Sequence, residues 1–263
     1  RELSRADGRQ AMTGEDLNPS NLADINRRLQ STPIADLIRE QPAVLIVPDG
    51  QGEVIFREHY VSMGELHDRL APDVNLFANM WLFLYLTETL DRLVLGVMSR
   101  LDFSTMSEAI SLNLNISTVL SPGFQTFHDR VRDHSEKVVI ELQTVDIFAD
   151  MDSYFSARDW LRDAGYRVLI DGLSPLSLQF VDPGLFDADF VKIGWSPEFM
   201  GDVPKYRMIE MHDIVEHTGF DRVILSRVES DAAVKWGLEI GIQRYQGHYA
   251  DRIVEAMVLK GIV

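Results

Sequence analysis

Three carboxylates, a lysine and an asparagine stand where apolar runs of this chain come to an end. Arg167-Val168-Leu169-Ile170-Asp171-Gly172 delivers Asp171, and Asp189-Phe190-Val191-Lys192-Ile193 delivers Lys192. The same grammar gives Glu58 after Val54-Ile55-Phe56-Arg57, Asn115 in Leu112-Asn113-Leu114-Asn115-Ile116-Ser117, and Glu141 in Val138-Val139-Ile140-Glu141-Leu142. Carboxylates gathered beside an ammonium in one cleft shift one another's proton affinity, a condition met at many functional sites. A network in which Lys192 merely pairs with the carboxylates produces the same shifts, so perturbed titration alone does not make a catalyst.

Helical segments separate the apolar runs, so the strands are expected to run parallel and to present their carboxyl ends on one side. The expected strands are 112–117, 137–142, 167–171, 189–193, 222–226 and 243–246, interleaved with helices at 123–133, 152–164, 204–218 and 230–240. That rhythm predicts an α/β protein, a TIM-type (β/α)8 barrel, whose carboxyl-end rim is the functional face. Ahead of it, Leu22, Ile25 and Leu29, then Ile34, Leu37 and Ile38, predict helix from about residue 13 to 40, with Asn18 or Ser20 as the cap. We therefore divide the chain into a helical lead-in over 1–40 and a barrel over 41–263. Pro48-Asp49-Gly50-Gln51-Gly52 between two strand-like runs predicts a hairpin, and its glycines are turn glycines, since no Gly-Lys-Ser/Thr follows.

Composition narrows the function. The chain has 263 residues, 46% of them apolar, which suffices for one barrel core. Acidic residues outnumber basic ones 41 to 25, for a net charge of −16, and this repels a nucleic-acid backbone, so neither DNA nor RNA is an expected partner. Without cysteine there is no disulfide, thiolate metal site or cysteine nucleophile, which suits a cytoplasmic setting. The run Leu76–Met98 contains Glu88, Asp91 and Arg92, so it is expected to be a core helix rather than a membrane span. The chain begins at Arg1 with a polar stretch unlike a signal peptide, as a piece of a longer protein would. His212 and His217 lie five apart, off the spacing that brings two ligands onto one helical face. Trp195 follows Lys192 closely enough to face the rim.

Taken in order, these residues resemble the EAL family, the barrel phosphodiesterases of the bacterial second messenger cyclic di-GMP. The resemblance covers roughly residues 40–252. Glu58-His59-Tyr60 stands where that family has Glu-Ala-Leu, Asn115-Ile116-Ser117 resembles Asn-Leu-Ser, and Glu141-Leu142-Gln143-Thr144 resembles Glu-Leu-Thr-Glu. Asp171-Gly172 stands at the Asp-Asp pair, and Lys192-Ile193-Gly194 resembles Lys-Ile-Asp at the family's separation from it. Ser226-Arg227-Val228-Glu229 falls at Glu-Gly-Val-Glu, and Gln246-Gly247-His248-Tyr249 resembles Gln-Gly-Tyr. The resemblance implies that Glu58, Asn115, Glu141 and Asp171 form a set able to hold one Mg²⁺ or Mn²⁺, with Lys192, Glu229 and Gln246 completing a site for the nucleotide.

The departures from the family bear on the chemistry. Gly172 offers no second-metal carboxylate and Ser226 no base, while Thr144 replaces a glutamate and Gly172-Leu173-Ser174-Pro175 replaces the active-site loop. Ser62 stands where the family has a phosphate-binding arginine, leaving Arg57, Arg227 or Arg244 as substitutes. The expectation is a degenerate, catalytically inactive EAL-like signalling domain that requires no metal and acts as a cyclic di-GMP receptor. A nucleotide-independent protein-interaction scaffold and a residual one-metal phosphodiesterase are the alternatives. A protein partner and a homodimer are expected as well.

Overall fold

In the computed structural model the described residues are 14–46, 52–174, 176–200 and 204–259. The polar stretch at Arg1, the turn residues 48–51 and Pro175 lie outside them. Asn18 starts the first helix, α1 (Pro19–Ser31), through a capping box: its side chain accepts from the Ser20 and Asn21 amides, and Asn21 returns a bond to the Asn18 amide. The helix stops before its expected end. Pro33 biases the residue before it toward extended backbone, and Thr32 sits at φ −98°, ψ 127°. A single 3-10 turn, Ala35–Leu37, then leads into a strand at Ile38, where helix had been expected to continue.

Eight strands close into a barrel in the order of the sequence: β1 (Ile38–Ile46), β2 (Gly52–Val61), β3 (Ala109–Asn113), β4 (Val138–Gln143), β5 (Arg167–Leu173), β6 (Phe190–Gly194), β7 (Val223–Ser226) and β8 (Arg244–Gln246). From β2 to β8 every neighbouring pair is parallel. The first strand is the exception, running antiparallel to both β2 and β8, so the barrel is not all-parallel. This is the hairpin read from the sequence, with Gln41 opposite Glu58 and Ala43 opposite Phe56.

Alternation along each strand sorts the side chains. Val138, Ile140 and Leu142 face outward into the main core with Tyr154 and Leu161 of α5 (Met151–Asp163), while Val139 joins Ala43, Phe56, Leu169, Phe190 and Ile224 as an apolar plug inside the barrel. Long helix α3 (Met80–Met98) buries Phe83, Leu86, Leu90, Val94 and Met98 along one face. Leu22, Ile25 and Leu29 of α1 lie in the same core. Among the described residues, no helix is long and apolar enough to cross a membrane. A last helix, α6 (His248–Leu259), was not foreseen; it packs on β1, and Met257 approaches Gly52 so closely that a Cβ there would meet its sulfur at 2.8 Å.

One strand end differs from expectation in a way that matters for the site. The run expected over 112–117 is strand only as far as Asn113, after which the chain turns and Asn115 becomes the cap residue of a short helix, α4 (Ile116–Val119).

Candidate functional site

Two residues beyond each member of the apolar plug on the seven parallel strands, the inward positions turn polar. Phe56 is followed by Glu58, Val139 by Glu141 and then Gln143, Leu169 by Asp171, Phe190 by Lys192, and Ile224 by Ser226. Strand period and barrel closure thus stack a layer of ionisable side chains on a dry floor, facing the carboxyl-end rim. All six polar side chains are buried.

Lys192 is the hub. Its ammonium donates to Glu58 Oε2 at 2.8 Å and to Glu141 Oε2 at 2.7 Å, bridging two carboxylates. Glu58 also accepts from Gln246 Nε2 (2.7 Å) and, on its other oxygen, from Asn113 Nδ2 (2.8 Å). Glu141 Oε1 accepts from Ser111 Oγ at 2.5 Å. Gln143 completes the ring, donating from one nitrogen to Asn113 Oδ1 (3.1 Å) and to Asp171 Oδ2 (2.8 Å).

One ammonium faces three carboxylates, and the titration of the cluster follows. Burial pushes the Glu141 carboxyl up, and the neighbouring Glu58 pushes it the same way, to about 7 despite the opposing pull of Lys192. Burial alone would lower Lys192; the charges of Glu141, Glu58 and Asp171 outweigh it and hold the ammonium above the ordinary lysine range. Lys192 is therefore a fixed cation at neutral pH, and burial beside Glu58 leaves Glu141 with a raised affinity for a proton.

The structure brings Glu58, Glu141, Asp171, Lys192 and Gln246 together in one buried cluster. It corrects Asn115. That side chain lies behind the rim, donating to Asp91 Oδ2 (2.8 Å) and Thr87 Oγ1 (3.2 Å), while its amide donates to the same Asp91 oxygen (2.7 Å). The buried carboxylate of Asp91 on α3 captures Asn115 and leaves Asn113 as the asparagine of the rim. Glu229 is also absent from the buried cluster, because it is exposed on the loop after β7. Gln143, which the sequence reading did not single out, belongs to the cluster; its inward register, two positions past Glu141, was the available signal. Ser62 caps α2 (Met63–Leu70), accepting from the Glu65 amide.

The three candidate arginines part company as well. Arg57 alternates with Glu58, faces out of the barrel and pairs with Glu108. Arg244 opens β8 at the far end and donates to the Phe220 carbonyl at 3.4 Å. Arg227 alone of the three follows directly on a carboxyl end, at φ 58°, with its guanidinium side lying over Gly194.

Gly172 has φ +96°, and a Cβ there would meet Thr144 Oγ1 at 2.8 Å, so no side chain fits without displacement. Its carbonyl accepts from that same hydroxyl at 3.3 Å. Hard oxygen donors suited to a divalent cation are present in Glu58, Glu141, Asp171 and the Asn113 amide. As placed they do not fit one: both oxygens of Glu58 and of Glu141, Asn113 Oδ1 and Asp171 Oδ2 each already accept from a protein donor.

No family model matches this chain, and no curated protein matches it. Solved structures do. The S helix-GGDEF-EAL region of Vibrio cholerae LapD, bound to c-di-GMP, superposes with a TM-score of 0.63 at 14% identity, covering 87% of this chain and 57% of that one. The FimX EAL domain of Pseudomonas aeruginosa, also bound to c-di-GMP, gives 0.61 at 15% identity over 86% of this chain and 94% of the other. Klebsiella pneumoniae BlrP1, in a manganese/cy-diGMP complex at pH 6, gives 0.55 at 18% identity over 80% and 53%. The chain spans less than two thirds of LapD and BlrP1, and nearly all of the FimX domain. The closed barrel with a reversed first strand and a polar rim is, in this chain, the fold of the EAL domains.

Proposed function

We propose that this domain is a receptor for cyclic di-GMP that binds the dinucleotide at the barrel rim without hydrolysing it, as a regulatory module of a longer bacterial signalling protein. The observation that carries the reading is the pair of rim positions 172 and 226. Two-metal hydrolysis of a phosphodiester needs carboxylates that hold both cations. At 172 the backbone is left-handed and crowded by Thr144, and at 226 a serine closes β7. Neither position supplies charge or basicity. Structures with this fold that hold the dinucleotide, LapD and FimX among them, support the choice of ligand.

The chain's own residues supply the binding chemistry. Lys192 offsets part of the carboxylate charge, and a proton on Glu141 removes more, so the rim tolerates an anionic ligand better as pH falls toward 7. Arg227 offers a guanidinium to a phosphate, the role for which Ser62 is unsuited.

Calorimetric titration of cyclic di-GMP, run once in EDTA and once with Mn²⁺, tests the proposal. The expected result is saturable heat in EDTA and no linear dinucleotide after prolonged incubation with Mn²⁺. No heat in either buffer would overturn the receptor reading, and a linear product that vanishes in Asp171→Ala would overturn the inactivity. One observation favours a nucleotide-independent docking role: Leu176, Phe180 and Leu185, on the loop after β5, are 65%, 82% and 72% exposed. A protein partner, or a second copy of this chain, is the class of ligand for that loop.

A further inference from the structure

We propose that Gln143 is the residue that closes this rim to divalent cations, its amide nitrogen occupying the point at which a cation would join Asn113 to Asp171. The inference concerns the same rim as the receptor reading but does not depend on nucleotide binding.

The argument is one of donors and acceptors. A side-chain amide nitrogen has two hydrogens. In Gln143 both are committed, one to Asn113 Oδ1 at 3.1 Å and one to Asp171 Oδ2 at 2.8 Å. Neither end of the amide is free to turn. The Asp171 oxygen accepts from the Gln143 nitrogen, and Gln143 Oε1 is turned the other way, toward Gly172, 3.2 Å from where a Cβ there would stand. Asn113 is fixed in the same way, because its own nitrogen is spent on Glu58 Oε1 at 2.8 Å, leaving its oxygen to Gln143.

The two oxygens that Gln143 joins are the hard donors a Mg²⁺ or Mn²⁺ would need on this side of the rim. A cation there would meet partly positive amide hydrogens aimed at it. To enter, it would have to expel a buried amide whose hydrogens then lack acceptors, a cost that buried polar groups avoid. On the other side the Lys192 ammonium bridges Glu58 and Glu141 in the same geometry. Two protein nitrogens, one charged and one neutral, thus stand in the two junctions between ligand oxygens. Gly172 brings no compensating side chain. Of the two nitrogens, Gln143 is the one that can be removed without stripping charge from the cluster.

The test is Mn²⁺ alone, titrated into the chelator-treated chain in the absence of nucleotide and followed by the electron paramagnetic resonance of the free ion. Wild type is expected to show no saturable uptake, and Gln143→Ala to gain one site. Binding by the variant should exceed that of wild type by on the order of tenfold or more, the scale on which neighbours of a metal site act. The gained site should disappear in Gln143→Ala combined with Asp171→Asn. Gln143→Ser is the second variant, and cooperative melting of both reports that they fold. Uptake of one equivalent by wild type, lost in Asp171→Asn, would overturn the proposal. So would two folded variants that bind Mn²⁺ no better than wild type. Cyclic di-GMP binding in EDTA is measured separately, so failure here leaves the receptor reading standing, and the reverse.

Discussion

Lys192→Met keeps the length of the side chain and removes the ammonium that joins Glu58 to Glu141. Breaking a buried ion pair from one side costs about 3–5 kcal/mol, because the surviving charge has no partner. Here two carboxylates survive, and one can escape by taking a proton. Glu141 is raised from its usual 4.5 to about 7 even with Lys192 in place, and it rises further without it. A carboxyl whose folded value lies above its unfolded one contributes stability in full below about 4.5, and loses it as pH climbs through 7. In wild type that loss amounts to about 3 kcal/mol. In the variant the loss continues to higher pH, so the penalty of the substitution depends on pH. At pH 8 the penalty is larger than at pH 5, and the full cost, reached once Glu141 of the variant ionises, lowers the melting temperature of a chain of this size by about 6–20 °C. At pH 5 protonated Glu141 removes the repulsion between the two carboxyls, and the penalty is smaller. Thermal unfolding followed by circular dichroism at both pH values measures the difference. Equal melting of wild type and variant at pH 8, or a deficit of the same size at both pH values, would refute the account of Lys192 as the cation that makes this interior tolerable.

Three further outcomes are expected. Gly172→Asp should not restore hydrolysis of cyclic di-GMP with Mn²⁺, and should lower stability by at least about 1–2 kcal/mol through left-handed backbone strain, which chemical denaturation would register. Arg227→Gly should separate stability from binding: relief of the left-handed residue raises stability by about 1 kcal/mol, while calorimetry records weaker nucleotide binding. Asp91→Ala strands the Asn115 amide and side chain and the Thr118 hydroxyl, which all donate to Asp91 Oδ2. It should cost on the order of 3 kcal/mol in a denaturant melt, with no direct loss of a rim contact.

Local pattern and long-range capture explain what the sequence disclosed. The barrel was legible because strands carry their own period and helices such as α1 and α2 their own caps, and Asp171 and Lys192 were legible because charge at the end of an apolar run is costly unless paired. Asn113 and Asn115 were not distinguishable. Two positions apart, they fall on the same face of any strand that contains both, and the choice is made by Asp91, 24 positions upstream on a different element. Gln143 escaped notice for a related reason. Its importance lies in joining two oxygens from neighbouring strands, 30 and 28 positions away in the chain, and nothing in its own neighbourhood announces that. The end of α1 was written locally, in Pro33, and was outweighed in our reading by the apolar spacing of Ile34, Leu37 and Ile38.

The reversed first strand has a mechanical consequence. Because β1 runs against the other seven strands, the backbone enters the barrel at the rim, with Ile38 paired to Val61 and Gln41 to Glu58. Only three residues, about 10 Å of extended chain, separate the level of the lysine hub from the 3-10 turn that connects to α1. Glu40 and His59 are linked across this stretch at 3.1 Å. Had the strand run the other way, the same connection would leave from the opposite mouth of the barrel, with the apolar plug in between. As built, the strand that pairs with Glu58 is also the strand that ties the barrel to α1, and the tie is made on the rim side of the plug.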